Sequence, residues 1–333
     1  MKKKKEKSRS HFSPKGVMGA NFLQRSSLSD KSLTTRYHIP VLLNEVLEGL
    51  NIKPEGIYVD CTFGGGGHSK AILKKLNING RLIAFDQDED AKQNIPDDDR
   101  VLFVPHNFRY VKRFLQLYGI NEVDGILADL GVSSHQLDES NRGFSTRFNA
   151  KLDMRMDQRQ TTTAFEVVQN YTEQQLHKMF EQYGEVTNAK TLAKKIVEAR
   201  QVEPLQTIDA FKRTVHYVVK GNPNKYFAQV FQALRIEVND ELGALKDLLE
   251  QIPQVLKSGG RVAITTFHSL EDRLVKRFFR DGTFNIQNDN PFENQKISNP
   301  MKAINKKPIE ATEQEKTKNP RSRSAKLRLA EKL

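Results

Sequence analysis

Between residues 57 and 129 short apolar runs alternate with helical stretches, and no other feature of the chain restricts its fold as much. Ile57–Asp60, Arg81–Asp86, Val101–Val104 and Asp124–Asp129 have the length and β-branched content of strands. Ser69–Leu76, a short Asp90–Asn94 segment and Tyr110–Leu117 lie between them as helices. Strands joined through helices run in the same direction and form a parallel sheet, which has to be covered on both faces. The expected fold class is therefore α/β, a doubly wound Rossmann-like sheet, preceded by a helix from about Pro40 to Leu50.

Beyond Gln136 the strand signal stops. Thr172 with Gln175 fits a capping box, and Leu176, Met179, Phe180 and Tyr183 follow at helical spacing. Further helices are predicted over Ala189–Arg200 and from Asp209 towards Gly221. The α/β pattern then resumes. A long helix is predicted over Phe231–Glu250, followed by a turn at Leu256–Arg261, a strand over Val262–Phe267 and a helix through Asp272–Phe279. The expected organisation is one α/β domain, residues 37–141 and 232–333, interrupted by an all-helical insertion over 142–231. Near the end of the chain, Lys326–Leu329 alternates polar and apolar residues, as an edge strand does.

Charge is unevenly spread. Residues 1–36 carry ten Lys/Arg against two Asp/Glu, and residues 296–333 carry eleven against four, so the body between them is slightly acidic despite a net +12. The first 36 residues, rich in Ser and Lys and without periodicity, are expected to be a disordered basic extension. Basic ends on a near-neutral body suit a polyanionic partner, although solubilising tails have the same composition. No apolar run approaches the roughly 20 residues of a membrane span, and the basic N-terminus lacks the apolar core of a secretion signal. Cys61, the only cysteine, has no internal disulfide partner. A soluble, cytoplasmic protein is expected.

The chemistry is signalled by Asp60-Cys-Thr-Phe-Gly-Gly-Gly-Gly-His-Ser69, set between a predicted strand and a predicted helix. Glycines there let the backbone approach a ligand and aim amides at it. About 20 residues beyond the loop, Asp86 ends the second strand, where a carboxylate accepts both hydroxyls of a ribose. Together they point to a nucleoside-containing cofactor. Ser69 stands where a strict dinucleotide fingerprint places its third glycine, and the Leu-Lys-Ser-Gly-Gly-Arg turn before the later strand is typical of methyltransferase sheets. S-adenosylmethionine is favoured, with a dinucleotide as the alternative. The fourth strand leads into Asp129-Leu-Gly-Val-Ser-Ser-His-Gln136 at the carboxyl edge of the sheet, where ligands bind in such folds.

Several long runs carry a resemblance: Asp60–Ser69, Asp124–Asp138, Arg142–Ser145, Leu152–Asp157, Phe231–Ile236, Phe267–Asp272 and Asn319–Ser324. In these the chain resembles the bacterial 16S rRNA (cytosine-N4) methyltransferase family, the MraW type, from about Tyr37 to Lys332. The resemblance implies a cytoplasmic enzyme that methylates a cytidine of the decoding centre, with 16S rRNA or the small ribosomal subunit as partner. It also implies a class I S-adenosylmethionine methyltransferase fold carrying a helical insertion that faces RNA. Cofactor contacts are implied for Gly66, Gly67, His68, Asp86, Phe108, Asp129 and Gln136, with Asp86 on the ribose, Phe108 against adenine, and Asp129 and Gln136 towards the methionine end. His135 stands where the family usually has proline.

Catalysis at an exocyclic amine needs the nitrogen placed in line with the sulfonium methyl and its lone pair localised by hydrogen bonds. The candidates are Asp129, Ser133 and Ser134, although a strand-end cap and local turn bonds are the plainer roles of these three. His268, in Phe-His-Ser-Leu-Glu-Asp, is either a proton acceptor or a structural histidine holding Glu271 or Asp272. The Met and Arg residues of Leu152–Asp157 either line an RNA cleft or pack. No Cys/His cluster suggests zinc, and the only cysteine lies in the cofactor loop, which opposes a C5 reaction through a cysteine nucleophile. A methyltransferase acting on adenine N6, a dinucleotide-dependent oxidoreductase and a non-catalytic RNA-binding protein are the competing functions.

Overall fold

The computed structural model describes residues 40–284 and 299–333, so the basic extension expected over 1–36 lies outside the described residues. The first half follows the predicted alternation: α1 (Leu43–Leu50), β1 (Ile57–Asp60), α2 (Gly67–Leu73), β2 (Arg81–Phe85), β3 (Val101–Val104), α3 (Val111–Leu117) and β4 (Val123–Asp129). A short helix α4 (Ser134–Asp138) follows. Next come α5 (Ala164–Asn170), α6 (Glu173–Gly184), α7 (Ala189–Arg200), α8 (Ile208–His216) and α9 (Pro223–Asn239). The chain then returns through α10 (Glu241–Val255), β5 (Leu256–Thr266) and α11 (Ser269–Asp281) to β6 (Met301–Ala303), β7 (Ile309–Glu310), α12 (Glu313–Lys318) and β8 (Lys326–Lys332).

The strands form one sheet in the order β3-β2-β1-β4-β5-β8-β6, with β7 also paired to β8. From β3 to β5 the pairing is parallel, and β8 adds antiparallel to β5. Chain order reverses between β1 and β4, so the crevice at their carboxyl ends is where such a sheet takes its ligand. Side chains alternate between the two faces of each strand. Val59, Ile83, Ile126 and Val262 pack with Leu115 of α3, Leu248 of α10 and Phe278 of α11. Their neighbours Tyr58, Leu82, Leu127 and Ala263 pack with Val46 of α1 and Ile72 of α2. Both faces are thus covered, each large apolar side chain contributing about 1.5–3 kcal/mol by burial.

Residues between Phe144 and Val238 build a separate apolar cluster from α5 to α9, around Phe180, Leu192, Ile196, Phe211 and Leu234. Thr163 with Glu166 and Thr172 with Gln175 close capping boxes at the starts of α5 and α6. Among the described residues no helix is long and apolar enough to cross a membrane.

Three expectations are corrected. The single helix predicted over Phe231–Glu250 is two helices, because Asp240 is left-handed (φ 46°, ψ 46°) between α9 and α10. Asp is among the few residues that accept this conformation readily, and Arg109 grips both Asp240, at 2.9 Å, and Asp247, at 2.6 Å, across the break. The Leu256–Arg261 turn is absorbed into β5 as an irregularity: Val123 faces Leu256 but Gly125 faces Arg261, and Gly259 takes φ +72°. Finally, β8 is interior, flanked by β5 on one side and by β6 and β7 on the other. Its apparent alternation comes from Arg328, which is buried but forked onto Asp272 at 2.6 and 3.1 Å.

Candidate active site

The loop after β1 is tied down from beneath. Asp60, fully buried, accepts from the Thr62 amide at 3.0 Å and from the Ser69 hydroxyl at 2.7 Å, bridging the strand end to α2. Burial pushes its carboxyl above the ordinary value. Gly64 (φ +50°) and Gly66 (φ +73°) turn the chain in conformations that L side chains rarely adopt. The reason for Gly67 is different: a Cβ there would come 2.4 Å from Pro40 Cγ. Beside Gly65 there is open space on the side a Cβ would occupy.

Asp86 follows β2 and reaches back to this loop. Its Oδ2 accepts from the Gly64 amide at 2.7 Å and its Oδ1 from the Asp88 amide at 2.9 Å. Burial, only partly offset by these two amides, pushes the carboxyl up to about 7. Phe108 opens a short 3-10 turn, Phe108–Tyr110, half-buried against the sheet core. The Asn107 side chain beside it donates to Gln87 at 2.8 Å, which fixes the turn next to Asp86.

Asp129 ends β4 opposite Thr265 of β5. Its amide donates to Thr62 Oγ1 at 2.7 Å, but its buried Oδ1 has no partner. Burial raises the carboxyl to about 6; His68 opposes the rise, and Asp60 and Glu271 add to it. His68, buried at the start of α2, contacts the Val41 carbonyl through Nε2 at 3.0 Å and holds Nδ1 3.8 Å from Asp129.

The other predicted residues of this loop work through one another. Ser133 caps α4: its Oγ accepts from the Gln136 amide at 3.2 Å while its own amide donates to Gln136 Oε1 at 3.0 Å. Gln136 Nε2 donates to Asp88 Oδ2 at 2.8 Å, so its side chain joins the capping turn to the loop beyond Asp86. Ser134 Oγ is buried without a partner. His135 is exposed and lies 3.2 Å from Asp90, away from the strand ends.

Sequence reasoning missed the centre of this network. Arg142 is 8 % exposed and pairs with Asp88 and Asp90, each at 2.8 Å. It also donates to the Arg155 and Met156 carbonyls, both at 3.1 Å. Neither partner is near in sequence, so only the Arg-Gly-Phe-Ser run itself drew attention to the position. Leu152, Met154 and Met156 are buried, and Arg155 is paired with Asp153 at 2.7 Å. Packing therefore accounts for most of that segment.

A cavity of about 460 Å³ opens beside the ends of β4 and β5, within the usual range for small-ligand sites. Val132, Phe144, Arg147, Phe231, Phe267 and His268 are among its walls. It therefore draws on the loop after β4, the Arg-Gly-Phe-Ser segment, α9 and the end of β5.

A family model described as the MraW methylase family matches residues 35–333. The chain belongs to the MraW methylase family. It is 53% identical to the ribosomal RNA small subunit methyltransferase H of Flavobacterium johnsoniae, over 90% of this chain and 99% of that one. It is 51% identical to the protein of that name in Parabacteroides distasonis and 52% identical to the one in Cytophaga hutchinsonii, each over 89% of this chain. The MraW chain is thus a methyltransferase, and S-adenosylmethionine is its cofactor. The residues present suit that group: Asp86 offers a carboxylate at the strand end, Gly65 borders open space, and Asp129 Oδ1 is a buried acceptor that an ammonium group would satisfy.

Proposed function

We propose that this chain methylates the exocyclic N4 of a cytidine in the decoding centre of 16S rRNA, in the cytoplasm, with that rRNA or the small ribosomal subunit as partner. The observation that carries this reading is a cavity whose walls begin just beyond the ends of β4 and β5. The crevice at Asp129 and Asp86 lies at the carboxyl ends of β4 and β2, and the cavity walls begin three residues beyond Asp129, at Val132, and two beyond Thr265, at Phe267. The name carried by the relatives, ribosomal RNA small subunit methyltransferase H, supports rRNA as the substrate.

S-adenosylmethionine supplies a methyl group on a sulfonium, ready for in-line attack. Asp86 is assigned to the ribose hydroxyls, Phe108 to the adenine face, and Asp129, beside His68, to the amino group of the methionine end. Gly66 and Gly67 bring the backbone close, and Gln136 acts through Asp88 by fixing the loop that follows Asp86. Ser133 holds the turn, leaving Asp129, Ser134 and nearby carbonyls to orient the base amine. The base has to leave any stack to enter a cavity of this size. Residues 142–231 are assigned to the RNA-facing side. A C5 reaction is disfavoured because burial pushes the Cys61 thiol well above its ordinary value, depriving it of the thiolate.

The test is transfer of labelled methyl from S-adenosylmethionine to naked 16S rRNA, small subunits and intact ribosomes, followed by digestion to nucleosides. N4-methylcytidine is expected. N6-methyladenosine or 5-methylcytidine as the labelled product would overturn the reading.

A further inference from the structure

His268 sits where β5 gives way to α11, and its side chain is 8 % exposed. It lines the cavity assigned above to the target base, and with Glu271 it closes a capping box at the start of α11. Nε2 lies 3.2 Å from Glu271 Oε1, a carboxylate that holds the ring in place.

The groups packed around it fix its electrical setting. From α11 comes Glu271, itself buried, whose Oε2 accepts from the Phe267 amide at 2.8 Å. Burial would raise that carboxyl, but His268, Arg235 and the Phe267 amide together hold it below the ordinary value, so it stays ionised. From α9 comes Arg235, and from the start of α10 comes Glu241, forked together at 2.7 and 2.9 Å. Arg147 reaches the same cavity from the loop before α5, and Asp129 on β4 feels the charge of Glu271. Glu241, His268 and Glu271 bring ligand atoms within 4.8 Å of one another. The Arg235 guanidinium already supplies the positive charge that a metal ion would bring there.

We propose that His268, steadied by Glu271, accepts the proton that the target amine releases on methylation. This rests on the cavity holding the cytosine. In that step the N4 lone pair forms the new N–C bond while the C–S bond breaks and its electron pair leaves with the sulfur. The nitrogen, now cationic and still carrying both hydrogens, passes one proton to the imidazole, which returns it to solvent after product leaves. Glu271 is a positioning residue: its carboxylate orients the ring and favours the imidazolium that forms.

The experiment uses the full chain with S-adenosylmethionine and small ribosomal subunits, at fixed excess Mg²⁺. Variants are His268→Asn, His268→Gln, His268→Ala and Glu271→Gln. Melting temperature and calorimetric cofactor affinity identify which of them remain folded. In folded His268→Asn or His268→Gln, kcat should fall about 100-fold or more, the usual scale for losing a general base, with cofactor affinity unchanged. The pH profile of kcat at saturating cofactor should lose one ionisation in these variants. Imidazole should restore part of the rate to His268→Ala, and Glu271→Gln should lower kcat while leaving cofactor affinity unchanged.

A kcat within threefold of the unmodified enzyme in either amide variant would overturn the proposal. So would loss of cofactor affinity in step with rate in every His268 variant, since that marks a strut. Inactivation by a chelator selective for transition metals would mean that the cluster holds an ion instead. Nucleoside digests of the unmodified reaction separate this outcome from failure of the cytidine assignment, because the effect of the His268 variants can be followed on whichever base is labelled.

Discussion

Asp60 and Asp86, at the carboxyl ends of β1 and β2, each accept two hydrogen bonds from their own loop. Across the β4 and β5 ends, Asp129 Oδ1, Ser134 Oγ and Thr265 Oγ1 are buried without partners. The first region is finished by three backbone amides and the Ser69 hydroxyl, with bonds spanning two to 22 residues. The second borders a cavity whose walls come from residues as distant as Val132 and Ser324. Unmatched buried polar atoms cost about 1–3 kcal/mol each, so they persist where a ligand completes them. The contrast assigns rigidity to the cofactor side and unsatisfied chemistry to the base side.

Arg142 joins the two regions, and removing it should produce the largest effect. Arg142→Ala removes the cation beside the buried Asp88 carboxylate, leaving it only Gln136 and the Asp90 amide, and frees the Arg155–Met156 carbonyls; the expected loss is about 3–5 kcal/mol, read as the midpoint of denaturant unfolding. A loss under 1 kcal/mol would mean that the regions are independent. Asp86→Ala comes next: the ribose loses a charged acceptor, weakening cofactor binding by about 1.5–3 kcal/mol. Unchanged affinity by calorimetry would remove Asp86 from the site.

The pH dependence sharpens the comparison further. The Asp86 carboxyl is raised to about 7 and that of Asp129 to about 6 in the folded chain. Their contribution to apo stability is therefore fully present below the ordinary carboxylate range and is lost as pH rises through 6 to 7. Cofactor binding has the opposite slope, because ribose hydroxyls and an ammonium group require ionised partners. Affinity should fall as pH drops from 8 to 5.5, and Asp86→Asn should erase the upper step while leaving the lower one. The smallest effect is expected for Cys61→Ala. Its activity should stay within a few-fold of the unmodified enzyme and its stability within about 1.5 kcal/mol, the cost of a small core truncation. Abolished transfer in a folded, cofactor-binding variant would refute a mechanism without a covalent enzyme intermediate.

The cofactor side was legible in sequence because its determinants are local. The β1 and β2 runs, the four glycines and Asp86 all fall within 30 residues of one another, and the packing of Tyr58 and Val59 on opposite faces follows from strand geometry. The base side was not legible, since Arg142 meets Asp88 from 54 residues away and Arg328 meets Asp272 from 56. The break at Asp240 escaped notice because one left-handed residue interrupts a helix without disturbing its composition. His268 and Glu271 are visible in sequence as an i,i+3 pair, but sequence does not show that the ring lines a cavity.

Cys61 has a practical consequence for labelling. The sole thiol in the chain is buried, and its raised pKa suppresses the thiolate that alkylating dyes attack. A cysteine introduced at Tyr217, whose side chain is exposed beyond the end of α8, would therefore react almost alone. Fluorophores or spin probes can report on the helical region without first stripping the native sulfur.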